Sequence, residues 1–186
     1  MYQDFKDLLS AFHAHGVKYL IVGGYAVIFH AQPRATKDIG FFIQADPSNA
    51  QATYAALASF GVPLGGVRPE DFADRGNFFR FGHDPRCVDI LPDIPGVAFE
   101  AAWERRVEGM IDPKSGLKAY FISASDLSRR SWPQGGRRTS RMRRLFVRPP
   151  KRNCHNHASS PTLSKESARY FLFCPQATEC AQAAKI

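Results

Sequence analysis

Cysteine is scarce in this chain, and none of it is spaced for metal or disulfide work. Cys87, Cys154, Cys174 and Cys180 include no C-x-x-C pair, so neither a zinc site nor a disulfide framework is indicated. Cys154-His155-Asn156-His157 crowds three potential ligands into four residues, which suits a tetrahedral ion poorly. Long hydrophobic runs are also missing: nothing approaches the ~20 apolar residues of a membrane-spanning helix. The first residues lack a basic-then-apolar leader, so a soluble, cytoplasmic protein with no membrane partner is expected. Acidic residues nearly vanish after position 128. Residues 129–186 hold 13 Lys/Arg against 2 Asp/Glu, a net of +11, whereas residues 1–128 hold 12 against 15, a net of −3. The 186 residues suffice for one domain with a single core, and no internal repeat is visible.

What is present in residues 1–128 is a regular alternation of elements. Phe5, Leu8, Leu9 and Phe12 recur at helical spacing, predicting an amphipathic helix over Tyr2 to His15 that stops at Gly16. Val17 to Val22 reads as a buried strand, broken by Gly23-Gly24, with a short helix over Tyr25 to Ala31. Lys37 to Ile43 is a second strand and Ala50 to Phe60 a second amphipathic helix. Asn77 to Gly82 and Arg86 to Leu91 form a hairpin around Gly82-His-Asp-Pro85. A helix follows over Val97 to Val107, then a strand over Leu117 to Ile122 and a helix start at Ser123-Ala-Ser-Asp126. Strands and helices mixed in this way predict an α/β or α+β layer domain with a mixed sheet flanked by helices.

One constellation carries chemistry. Val22-Gly23-Gly24 is followed by thirteen residues (25 to 37) and then Asp38-Ile39-Gly40-Phe41. This resembles the signature of the polymerase-β-type nucleotidyltransferase superfamily: apolar-Gly-Gly, a spacer, then Asp-apolar-acid-apolar. It is closest to the minimal bacterial, antitoxin-type group. Val88-Asp89-Ile90 matches the third acid, which the family carries on a neighbouring strand. The resemblance covers residues 17–43 tightly and 44–128 loosely, and it implies a nucleotidyltransferase fold. It also implies a reaction in which a nucleoside monophosphate passes from a nucleoside triphosphate to a hydroxyl acceptor, with Mg²⁺ or Mn²⁺ held by the acids. Asp38 and Asp89 take the catalytic and metal-binding places. Gly23, Gly24, Arg34, Thr36 and Lys37 take the nucleotide-binding ones.

The physical reasons are independent of the likeness. Strand side chains alternate with period two, so acids two residues apart share a face. A glycine pair ending a strand leaves backbone N–H groups that phosphate can approach closely. Arg34, Thr36 and Lys37 lie just before the acids, within reach of a triphosphate. Gly40 replaces the second acid of the pattern. Its loss removes one negative charge and a bridging ligand, so catalysis is expected to fall by orders of magnitude and cation binding to weaken. Asp46 and Asp84 are the candidates to replace it. Asp46 would need a register change, and Asp84 sits in a Gly/Pro turn. His30, on the short helix, is expected to be packed or hydrogen-bonded and not catalytic. The alternative reading is a catalytically inactive module that binds a toxin or antitoxin partner, or a decayed gene product; the change from an Asp codon to a Gly codon needs one base.

The basic segment reads differently. From Ser131 to Leu145 it has no helical or alternating period. Taken alone, Arg137 to Arg152 suggests a phosphate-binding stripe, able to hold nucleic acid nonspecifically. Codons that spell residues 131–145, read one position out of register, give Leu-Ala-Ala-Gly-Arg-Pro-Gln-Asp-Leu-Ala-Asp-Ala-Glu-Ala. Proteins of the resembled group continue with a helix of nearly this sequence. A frameshift between about Leu127 and Ser131 is therefore expected, with residues 129–186 a basic, low-order tail; a short helix over Ser164 to Cys174 is the only element suggested within it.

Overall fold

The computed structural model describes residues 1–31, 35–83, 86–128 and 143–146. Five helices, a 3-10 turn and a mixed sheet follow in order: α1 (Gln3–Ala14), β1 (Tyr19–Val22), α2 (Gly24–His30), β2 (Ile39–Ile43), α3 (Pro47–Phe60), the 3-10 turn (Pro69–Phe72), β3 (Asn77–His83), β4 (Arg86–Leu91), α4 (Phe99–Glu104), β5 (Val107–Asp112), β6 (Leu117–Phe121), α5 (Ala124–Ser128) and β7 (Arg143–Phe146). The strand order is β5-β6-β1-β2-β4-β3-β7. Six of these strands belong to residues 1–128. The fold is thus a mixed α/β layer structure, as the alternation of elements predicts.

The centre of the sheet fixes everything that follows. β1 and β2 run antiparallel, with Val22 opposite Gly40 and Tyr19 opposite Ile43. β2 and β4 run parallel, with Gly40 opposite Asp89. β3 and β4 are the predicted hairpin, with Arg80 opposite Asp89 and His83 opposite Arg86. Because side chains alternate along each strand, one face carries Tyr19, Ile21, Ile39, Phe41, Val88, Ile90 and Phe79. All are buried. This face packs on α1, where the Phe12 ring lies 5.0 Å from Phe41 and 5.4 Å from Tyr19. Phe5, Leu8, Leu9 and Phe12 are the buried positions of α1, as its periodicity predicts. The opposite face carries Leu20, Val22 and Phe42, and Phe42 meets Phe99 of α4 edge-to-face at 5.1 Å. Each large apolar side chain so buried contributes about 1.5–3 kcal/mol.

Three local departures from the sequence expectation have identifiable causes. Asp46 is the N-cap of α3: its carboxylate accepts from the Asn49 N–H at 3.0 Å, so the helix begins at Pro47 and not at Ala50. The predicted helix over Val97 to Val107 shrinks to six residues, and Val107 opens β5, which hydrogen-bonds antiparallel to β6. Half of the β5 residues are exposed and only Gly109, which has no side chain, is buried, so the strand leaves no alternating signal. Arg143–Phe146, within the aperiodic basic segment, adds in parallel to β3, with Asn77 opposite Arg143. Backbone pairing at a sheet edge needs no side-chain period. The remaining residues of the 129–186 tail, including the helix suggested at 164–174, lie outside the described residues.

Candidate functional site

At the end of β1 the chain must turn sharply, and Gly23 does so with φ +70° and ψ −142°, a conformation side-chain-bearing residues rarely adopt. It caps α2, whose Val27 N–H returns to the Gly23 carbonyl at 3.0 Å. Gly24 is constrained by contact and not by φ. A Cβ there would lie 2.8 Å from Thr36 Cβ and closer still to its hydroxyl. The glycine pair and the segment before β2 are therefore pressed together. Thr36 Oγ1 donates to the Asp38 carbonyl at 3.3 Å, which shapes the approach to the strand. Thr36 is half-buried and Lys37 exposed. Arg34 and Asp84 lie outside the described residues.

Asp38 is the residue immediately before β2, which begins at Ile39 and not at the predicted Lys37. Its carboxylate accepts from the Cys87 backbone N–H at 3.2 Å, which ties it to the start of β4. Asp89 stands in the middle of β4. The two predicted acids come together through a residue that the sequence reading omitted. Arg80 Nε donates to Asp89 Oδ1 at 2.6 Å and Arg80 Nη2 donates to Asp89 Oδ2 at 2.9 Å, a bidentate fork; the same Nη2 reaches Asp38 Oδ2 at 3.3 Å. The Arg80 and Asp89 side chains are 24% and 18% exposed, against 40% for Asp38, so the tight pair is the sheltered one. The hydrogen bonds to Asp89 hold the Arg80 pKa above its ordinary value, with the charges of Asp89 and Asp38 acting in the same direction; partial burial pulls it down. At any pH where the fold persists, this guanidinium is charged.

Gly40 completes the geometry by what it leaves out. It is in register with Asp89 on one side and Val22 on the other, and alternation places it on the same face as Asp38, Arg80 and Asp89. A Cβ built on it would meet Val22 Cγ2 at 3.1 Å, Val22 O at 3.6 Å and Leu91 Cδ1 at 3.7 Å. Its φ lies outside the left-handed region. Asp46, the first of the proposed replacements, is committed to capping α3 and stands beyond the far end of β2. His30, on α2, donates from Nε2 to the Ile122 carbonyl at 2.6 Å, a structural bond between α2 and the end of β6.

The donor set was expected to hold divalent cations, and as it stands it does not fit a pair of them. Two carboxylates offer a charge of −2, and both already accept from a guanidinium. Among the described residues no group of three or more His, Cys, Asp or Glu side chains is placed to hold a metal ion. What the arrangement can do as built is hold one cationic side chain rigidly beside a glycine turn and an exposed lysine. A cavity of about 350 Å³ elsewhere, lined by Lys18, Gln44, Phe99 and Trp103 among others, opens at the opposite end of β1 and β2 and includes none of these residues.

Arg80 had a legible signal. A hairpin with two residues between His83 and Arg86 pairs positions whose numbers share one sum, which sets Arg80 against Asp89. No helix among the described residues is long and apolar enough to cross a membrane. In comparisons with known proteins, no family model matches this chain and no curated protein does.

Proposed function

We propose that this chain is a nucleotidyltransferase-like domain that engages the phosphates of a nucleoside triphosphate at its glycine turn and is impaired in transferring the nucleoside monophosphate to a hydroxyl acceptor. The observation that carries this reading is the convergence of Asp38, just before β2, and Asp89, within the parallel neighbour β4, on the face that Gly40 leaves without a side chain and near the Gly23-Gly24 turn. Phosphate binding rests on the turn and on Lys37. Gly23 offers an open backbone, with no heavy atom beyond itself and its chain neighbours within 4 Å of a would-be Cβ, and the first N–H groups of a helix have no acceptor inside it. Lys37, exposed one residue before Asp38, supplies a mobile ammonium for the triphosphate. Impairment rests on Gly40. The face that would surround a transferring phosphoryl group lacks an oxygen donor directly opposite Asp89, and the two acids present are engaged by Arg80.

The test is binding and transfer with labelled nucleoside triphosphates on the full chain. The wild type is expected to bind a triphosphate, to lose affinity about tenfold with Lys37→Ala, and to transfer no label above background. Each charge-assisted contact is worth ~1.5–3 kcal/mol, the source of that factor. Failure of any nucleoside triphosphate to bind at millimolar concentration would refute the reading.

A further inference from the structure

We propose that Arg80 is a built-in counter-cation that occupies the place between Asp38 and Asp89, so that this acid pair excludes divalent cations for as long as Arg80 is seated. The three side chains and their distances support this directly, and it stands whether or not the domain ever transfers a nucleotide.

The guanidinium meets both carboxylates at once. It forks onto Asp89 at 2.6 and 2.9 Å and extends one N–H to Asp38 at 3.3 Å. A divalent ion needs carboxylate oxygens at roughly 2.0–2.6 Å, with lone pairs turned toward it. Those lone pairs on Asp89 point into the fork instead. Asp38 has its other oxygen committed to the Cys87 backbone N–H. An ion can enter only after the hydrogen bonds to Arg80 break, or else it must sit beside a fixed positive charge. Even at the lower end of what one charge-assisted bond contributes, that is at least a tenfold penalty on affinity.

The position of Arg80 is as fixed as the strands. Arg80 and Asp89 are direct partners in the β3–β4 ladder, and Gly40 is the direct partner of Asp89 on the other side. Three residues in one row therefore read Gly, Asp, Arg. Gly40 leaves the row without a second acid while Arg80 contributes one cation, and both lower the pair's demand for a metal. Asp38, before the strand, is the more exposed of the two carboxylates, 40% against 18% for Asp89.

The experiment is Mn²⁺ titration of the full chain, followed by electron paramagnetic resonance of the free ion. Wild type, Arg80→Gln and Arg80→Gln/Asp89→Asn are compared after circular dichroism shows that each is folded. Arg80→Gln is expected to bind Mn²⁺ at least about tenfold more tightly than wild type, and adding Asp89→Asn is expected to abolish the gain. Equal affinity in wild type and Arg80→Gln, or a gain that survives Asp89→Asn, would overturn the proposal. If Arg80→Gln does not fold, Arg80→Met retains the stem packing without the donors. The wild type also gives an answer by itself, because the Arg80 Nε–H resonance should remain sharp under millimolar Mn²⁺. Selective broadening of that resonance together with saturable ion uptake would also overturn it.

Discussion

Gly40→Asp adds an oxygen donor to the row through Asp89, and its consequence for stability can be worked out from the geometry. The backbone at Gly40 accepts an L residue, and the new Cβ meets Val22 Cγ2 at 3.1 Å, so a buried methyl must give by a few tenths of an ångström. That steric cost, about 1 kcal/mol, is shared by the neutral isostere Gly40→Asn. The charge is what separates the two variants. Directly opposed residues on neighbouring strands stand roughly 5 Å apart at Cβ. Two carboxylates at that distance repel by about 3 kcal/mol at an effective dielectric constant near 20. Arg80 beside them and the partial exposure of the site reduce this to ~1–2 kcal/mol. Without divalent ions, Gly40→Asp should therefore melt about 2–8 °C below Gly40→Asn, since 1 kcal/mol shifts Tm by about 2–4 °C in a chain of this size. The gap should narrow with added NaCl through screening, and close or reverse with millimolar Mn²⁺. Thermal unfolding by circular dichroism, with EDTA and with Mn²⁺, measures all three. If the Asp and Asn variants melt together under every condition, the side chain at position 40 does not face Asp89 and the reasoning fails.

Gly24→Ala should cost about 1–3 kcal/mol in urea unfolding because its Cβ runs into Thr36, and Thr36→Gly in the same chain should recover part of the loss. Additive losses in the double variant would contradict this. Asn49, buried at the head of α3, accepts from the Lys18 N–H at 2.7 Å and donates to the Lys18 and Gln44 carbonyls at 3.0 and 2.9 Å. Asn49→Asp keeps the acceptor but faces two carbonyls with no donor, so a loss of about 3 kcal/mol or more in chemical denaturation is expected; a loss under 1 kcal/mol would show that the clamp is dispensable. The pKa of His13, whose Nε2 pairs with the Tyr19 hydroxyl at 2.8 Å, is lowered by burial, with the charge of Glu108 acting the other way. The unfolded chain therefore binds more protons near pH 6.5 and just below. Stability should fall as pH drops through 6.5 and level off beneath the folded-state value, and His13→Gln should flatten that dependence. A steeper dependence in His13→Gln would reverse the sign of the argument. The coding DNA, read in another frame across codons 131–145, should spell the Leu-Ala-Ala-Gly-Arg-Pro-Gln-Asp helix; any other reading removes the frameshift.

Residues whose roles depend on period were the legible ones. Phe5, Leu8, Leu9 and Phe12 mark the buried stripe of α1, and the apolar runs flanking Gly23-Gly24 and Asp89 became central strands because both faces of the sheet are covered. Asp38 and Asp89 are paired through the resemblance, which sets its third acid on a neighbouring strand; the parallel register of β2 with β4 and the shared contact with Arg80 bring the two side chains together. β5 escaped because an exposed edge strand has no reason to alternate, and α4 ended early because Arg105 and Arg106 follow it with no further apolar turn. Arg80 escaped for a different reason. A strand arginine reads as a solvent-facing charge until the hairpin register is counted, and only then does it fall opposite Asp89. The cap at Asp46 is legible in Asp-Pro-Ser-Asn, where a carboxylate one residue before a proline marks a helix start and not a spare ligand.

Triphosphate affinity, measured with and without divalent ion by isothermal titration on wild type and on the Gly40→Asp/Arg80→Gln chain, addresses the central claim most directly. The wild type should bind a nucleoside triphosphate with the same affinity in EDTA as in Mn²⁺, because its acid pair is filled by Arg80. The double variant should acquire a dependence on Mn²⁺ of at least about tenfold. Strictly ion-dependent binding by the wild type, or no dependence in the double variant, would contradict the account of a glycine-turn phosphate site beside acids held by an internal arginine.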